Sequence, residues 1–272
     1  MPEAGAPGGA VERLLRRDTA VVAGALFLLV LFAAVYTLQG VGMGMSAIDM
    51  TRMAGPVGEP MAMAMQPHWT ALYAVLVFLM WWIMMIAMMT PGAAPLLLLF
   101  TAVKRAGPEA DRASLLSGVL LSGYLAAWAA FSVFATLLQW AGAKAGLVDG
   151  AMMALEGRWL AGIVLIAAGL YQFTPIKSAC LRHCRSPGQF LADHRSPGVS
   201  GAFRLGLVHG AYCLGCCWAL MAMLFVGGIM NLVWIAGLTA YVLLEKLLPF
   251  GMVLARIAGV GMLLAGVSLL AA

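Results

Sequence analysis

His209, Cys213, Cys216 and Cys217 place one imidazole and three thiols within nine residues of an apolar stretch. On a helix each residue turns about 100°, so the three cysteines all return near the His209 direction. Thiolate and imidazole are soft to borderline ligands suited to Cu(I) or Zn(II), and thioethers joining them favour Cu(I). A single cysteine in such a helix is ordinary apolar filler. Three with a histidine on one stripe are a functional signal, because ionisable side chains inside a membrane span are costly.

Two further sets extend that chemistry. Met80, Met84 and Met88 repeat every four residues and form a thioether ladder on one helical face, with Met85 and Met89 beside it. Packing against Trp81 and Trp82 is the alternative role for these methionines. Cys180 and Cys184 share a face if their segment is helical, and Lys177, Arg182 and Arg185 nearby favour thiolate. A third set, Met43, Met45, Met61, Met63 and Met65 before His68, occupies a Gly/Pro-rich loop. In an oxidising space, where thiols do not stay reduced, methionine is the durable Cu(I) ligand. The tract resembles the Met motifs of copper importers and periplasmic copper proteins.

The elements that must position these residues are membrane helices. Of 272 residues, 63% are hydrophobic and 10% charged, and the mean hydropathy is +0.97. A soluble domain carries roughly a quarter charged residues. With about 20 apolar residues per span, the expected fold is an all-α membrane protein, a polytopic bundle of about seven transmembrane helices, or six. Residues 1–18 read as a cytoplasmic tail, 19–38 as the first transmembrane helix and 39–68 as an extracytoplasmic Met-rich loop. Residues 69–272 then form the metal-binding bundle, with a cytoplasmic loop at 174–204. Thr90-Pro91 and Pro95 are expected to kink the second helix or turn its lower part re-entrant. Glu245-Lys246 reads as a self-paired charge at a helix end, and His194 as solvated.

Charge sets the orientation. With the N-terminus inside, only Arg52, Lys144 and Arg158 of the 16 Lys and Arg residues fall outside, a strong positive-inside bias. The net charge of +5 is explained by this bias and needs no nucleic acid. Five cysteines are an odd count without a disulfide framework. No phosphate-binding loop or paired-carboxylate site stands out, which argues against ATP-driven pumping by this chain.

Three motifs carry a family resemblance. They are Trp81-Trp82-x-Met84-Met85-x-Ala87-Met88-Met89-x-Pro91; Tyr171-Gln172-x-Thr174-Pro175-x-Lys177-x-x-Cys180-Leu181-x-x-Cys184; and Gly206-x-x-x-Gly210-x-Tyr212-Cys213-x-Gly215-Cys216-Cys217-Trp218. Together they resemble a bacterial family of predicted metal-binding integral membrane proteins, long carried as a domain of unknown function. The resemblance runs from about Trp69 to Pro249 and implies the bacterial cytoplasmic membrane and metal binding.

The expected protein therefore sits in the lipid bilayer of the bacterial inner membrane and binds a soft metal ion, Cu(I) before zinc. It serves copper transport, delivery or homeostasis and is a binding protein rather than an enzyme. A periplasmic metallochaperone or a co-assembled membrane partner fits such a relay. The rival is a membrane thiol-disulfide oxidoreductase using Cys213/Cys216 and Cys180/Cys184. Mid-span burial, which raises a thiol's pKa, weighs against it.

Overall fold

In a computed structural model, residues 8–58, 68–149, 153–194 and 197–271 are described, with side chains from residue 19 onward. Long apolar runs fold as helices because lipid offers their backbone no other hydrogen-bond partner. Among the described residues the elements are α1 (Gly8–Gln39), α2 (Ala47–Met53), α3 (Ala71–Arg105), α4 (Ala113–Lys144), α5 (Arg158–Tyr171), α6 (Pro175–Arg185), α7 (Pro187–Asp193), α8 (Gly198–Ala222), α9 (Leu224–Gly227), α10 (Leu232–Leu247) and α11 (Gly251–Ala271). The described residues form no strand beyond one isolated bridge between Val148 and Leu155. The all-α polytopic class stands.

Among the described residues five stretches are long and apolar enough to cross a membrane: Thr19–Gln39, Ala71–Arg105, Ala110–Lys144, Gly198–Gly227 and Gly251–Ala271. A sixth appears if α5 and α6, bent by 65° across a short break, count as one span. The expected seventh is missing because α10 has only 16 residues, short of the roughly 20 a straight span needs. The bend follows from Thr174-Pro175. Thr174 Oγ1 caps α6 by accepting the Lys177 N–H at 3.2 Å, and Pro175 starts the new helix at the position where its missing N–H does no harm.

The lower part of helix α3 is not the separate re-entrant element that was one of the two expectations. The helix runs unbroken through Pro91 and Pro95. α2 was not foreseen in the Met-rich loop, where Ser46 caps the helix through the Asp49 N–H. α1 begins at Gly8, ahead of the expected start of the first span.

The packing runs α1 to α3 to α4 to α8 to α6, with α5 seated on α11 and α10 reaching α3 and α11. α8 is the central helix: 61% of its most apolar window is buried, against 17% for α1 and for α11. Polar side chains join α3 to α4, where Trp81 Nε1 donates to Gln139 Oε1 at 2.8 Å and Trp82 Nε1 to the Leu125 carbonyl at 3.0 Å. Gly206 and Gly210 of α8 bear directly on the α4 backbone, where an added Cβ would meet the Leu120 carbonyl and the Ala127 methyl. Small residues that admit such close approach are how membrane helices pack without a hydrophobic driving force.

One clamp closes the loop before α8. Glu109 ion-pairs with Lys104 and accepts the Gly198 N–H at 3.0 Å. The hydrogen bond from Lys104 holds the Glu109 carboxyl below its ordinary value, helped by the Gly198 N–H and the charges of Lys104 and Arg112, against some desolvation. A carboxyl depressed in the folded state stabilises above its unfolded pKa and loses that contribution as pH falls through the folded one. Protection of the Gly198 amide from hydrogen exchange should therefore persist through mildly acidic pH and be lost only below the ordinary carboxylate range. In Glu109→Ala, which has no acceptor, it should be absent throughout, and the difference is read by mass-resolved exchange.

Candidate metal centre

The cysteines of α8 gather within two turns because their spacing follows the helical repeat. Cys213, Cys216 and Cys217 are all buried, as is His209. The Cys216 and Cys217 thiols point back along the helix and donate to one acceptor, the Cys213 carbonyl, at 3.0 and 2.9 Å. All five cysteines are free thiols.

Three neighbouring elements complete the cluster. α6 presents Cys184, whose Sγ lies 4.0 Å from Cys216 Sγ. α3 presents Met89, whose Sδ lies 3.9 Å from Cys217 Sγ. α4 presents Tyr124, whose hydroxyl donates to the Met89 carbonyl at 3.0 Å and stands 3.2 Å from Cys213 Sγ. α3 and α8 thus meet through long side chains, and both pack on α4.

The tenth helix supplies what the sequence reading missed. Lys246 Nζ donates to Cys213 Sγ at 3.0 Å, and the lysine is only 5% exposed. Glu245 does not pair with its neighbour. It ion-pairs with Lys177 of α6 at 2.6 Å and accepts from Tyr241 at 3.3 Å. The reason is geometric: adjacent helical residues point about 100° apart, so Glu245 and Lys246 face different neighbours. Both Lys177 and Glu245 are fully sequestered.

The remaining candidates distribute around this core. Cys180 is half-buried and its Sγ lies against Gly215, where an added Cβ would stand 2.7 Å away. The Tyr171 hydroxyl donates to the Gly215 carbonyl, tying α5 to the same turn of α8. Met80, Met84 and Met88 are buried in the common core, but the thioether that meets a thiol is Met89, one residue past the ladder. In the loop before α3, Met50 is buried and Met43 and Met45 pack against the core. Met61, Met63 and Met65 lie outside the described residues. His194 is half-buried and stacks on Phe190 at 4.6 Å, and Phe190 in turn touches the His209 ring at 5.2 Å. His183 stacks flat on Tyr212 at 4.1 Å.

Among the described residues, no three His, Cys, Asp or Glu side chains stand close enough to hold a metal in this conformation. The sulfurs come in pairs instead. A pair 4.0 Å apart is slightly closer than two metal–sulfur bonds laid end to end, at about 2.3 Å each for zinc. His209 Nδ1 is buried without a hydrogen-bond partner, an expensive state for a polar atom. A soft cation is the ligand whose chemistry matches that donor set: thiols, a thioether and an unpartnered imidazole nitrogen.

A family model described as PpoB2, copper chaperone, matches residues 78–269, which takes in every helix that lines the cluster. No curated protein and no solved structure matches the chain.

Proposed function

The chain belongs to the PpoB2 copper chaperone family, and from that premise we propose that it binds Cu(I) inside the membrane and hands it to a partner. The ligands are Cys213, Cys216 and Cys217 of α8 with Cys184 of α6 and Met89 of α3, and His209 adds its free nitrogen. Met80, Met84 and Met88 form the approach along α3, the outer methionines collect the ion, and Cys180 stands at the inner mouth. In this reading the N-terminus is cytoplasmic and the membrane is the bacterial inner membrane. The receiver is a periplasmic metallochaperone or a co-assembled membrane protein.

The observation that carries the reading is the meeting of sulfur from three helices: Cys184 on Cys216 and Met89 on Cys217. Packing alone supplies no reason for two separate sulfur–sulfur contacts around one buried turn. Lys246 beside Cys213 favours the thiolate, the form that binds metal.

The test is metal content. Protein purified without oxygen in Cu(I) should carry copper, measured by mass spectrometry, and the Cys213→Ser/Cys216→Ser/Cys217→Ser variant should lose it. Unchanged stoichiometry in the triple variant would sink the site. The oxidoreductase rival keeps one observation in its favour, the Cys184–Cys216 separation. A reversible Cys184–Cys216 crosslink in metal-free protein, with no copper taken up, would establish it instead.

A further inference from the structure

The cluster contains a fixed cation, and a metal-binding site with a cation inside it needs an explanation. Lys246 is buried, its Nζ is 3.0 Å from Cys213 Sγ, and its stem crosses α3 at Gly92, where an added Cβ would stand 3.2 Å from the lysine Cδ. The absence of a side chain at Gly92 leaves the lane that the lysine occupies. Its chain neighbour Glu245 is engaged by Lys177, and the hydrogen-bond partner of Lys246 is the Cys213 thiol, itself 3.2 Å from the Tyr124 oxygen.

We propose that Lys246 is a specificity-determining residue that makes the sulfur cluster favour a monovalent soft ion over a divalent one. The inference rests on the copper-binding reading above and concerns charge count. With two of the cluster's thiols ionised, Cu(I) and one ammonium bring the sum to zero, while Zn(II) leaves one uncompensated positive charge. Away from water a net charge is heavily penalised, because neither solvent nor salt screens it. For any fixed set of thiolates, the ammonium repels a divalent ion more than a monovalent one. Zn(II) otherwise competes well for thiolate and imidazole, so ligand type alone does not exclude it. Lys246 does not ligate the metal; it sets which charge the ligands accept.

The experiment compares full-length protein in detergent, loaded anaerobically with Cu(I) or Zn(II) in competition with chromophoric chelators. Wild type should prefer Cu(I). Lys246→Leu, which removes the charge without adding a ligand, should shift the Cu(I)-to-Zn(II) affinity ratio towards zinc by on the order of 100-fold, the effect of one extra unit charge a few ångströms away. Lys246→Arg, which keeps the charge, should retain the wild-type ratio. Lys246→Gln provides the same neutral comparison if the leucine variant is not recovered folded. An unchanged ratio in both neutral variants, or a ratio lost equally in Lys246→Arg, would overturn the role of the charge while copper binding stands. Wild-type protein that binds neither ion would overturn the copper reading itself.

Discussion

Glu245→Leu should lose most of the folded protein. Its carboxylate lies 2.6 Å from Lys177 Nζ, and both side chains are at most 1% exposed. Removing one member leaves the other charged and buried, which costs about 3–5 kcal/mol. The pair joins α10 to α6, so the loss also frees the two helices that bring Lys246 and Cys184 to the sulfur cluster. The companion variant decides the mechanism. Lys177→Met/Glu245→Leu should recover most of the stability, because apolar side chains of similar volume replace a buried ion pair at little cost. Thermal unfolding of purified protein in detergent reads both. A double variant as unstable as the single one would show that the pair does more than neutralise itself.

Gly206→Ala should destabilise by about 1–3 kcal/mol, although alanine is the better helix former by up to about 1 kcal/mol. The added methyl would run into the Leu120 carbonyl of α4, and backbone cannot step aside as a flexible side chain does. α8 must then back away from α4, and Tyr124 loses its approach to Cys213, so copper retention should fall along with stability. Gly118→Ala supplies the contrast on α4. Nothing lies within 4 Å of a Cβ there, and the substitution should stabilise slightly. The opposite signs of the two replacements, measured by the same unfolding assay, isolate the close contact from helix propensity.

Much of this arrangement could be read in the chain before any coordinates. The helical repeat alone put His209 and three cysteines on one stripe, and composition alone required a membrane bundle. The boundary placed at residue 174 falls close to the end of α5, but the helices α6 and α7 beyond it read only as a loop. Other features depend on which helix faces which, and one-dimensional spacing does not hold that information. Met89 rather than the ladder beside it meets Cys217 because of how α3 is rotated against α4. Tyr124 carried no signal at all, since a lone tyrosine in a span is common. Lys246 did carry one. Two adjacent charges on a helix diverge by about 100°, so Glu245 and Lys246 needed separate partners. Ser46-x-x-Asp49 likewise resembles a helix-start signature and marks α2 within what read as loop.

The two thiol bonds to the Cys213 carbonyl bear on unloading. Many small metal domains unfold when stripped, because their ligands have nothing else to hold. Here the emptied thiols share one oxygen acceptor, and a hydrogen bond of this kind contributes no more than about 0.5–1.5 kcal/mol. On the copper-binding reading, that energy would be forfeited when an ion arrives and regained when it leaves. It lowers affinity by a modest factor and leaves the vacated turn of α8 internally satisfied. On that same reading, proposed above, a carrier built this way would keep its shape through a cycle of release.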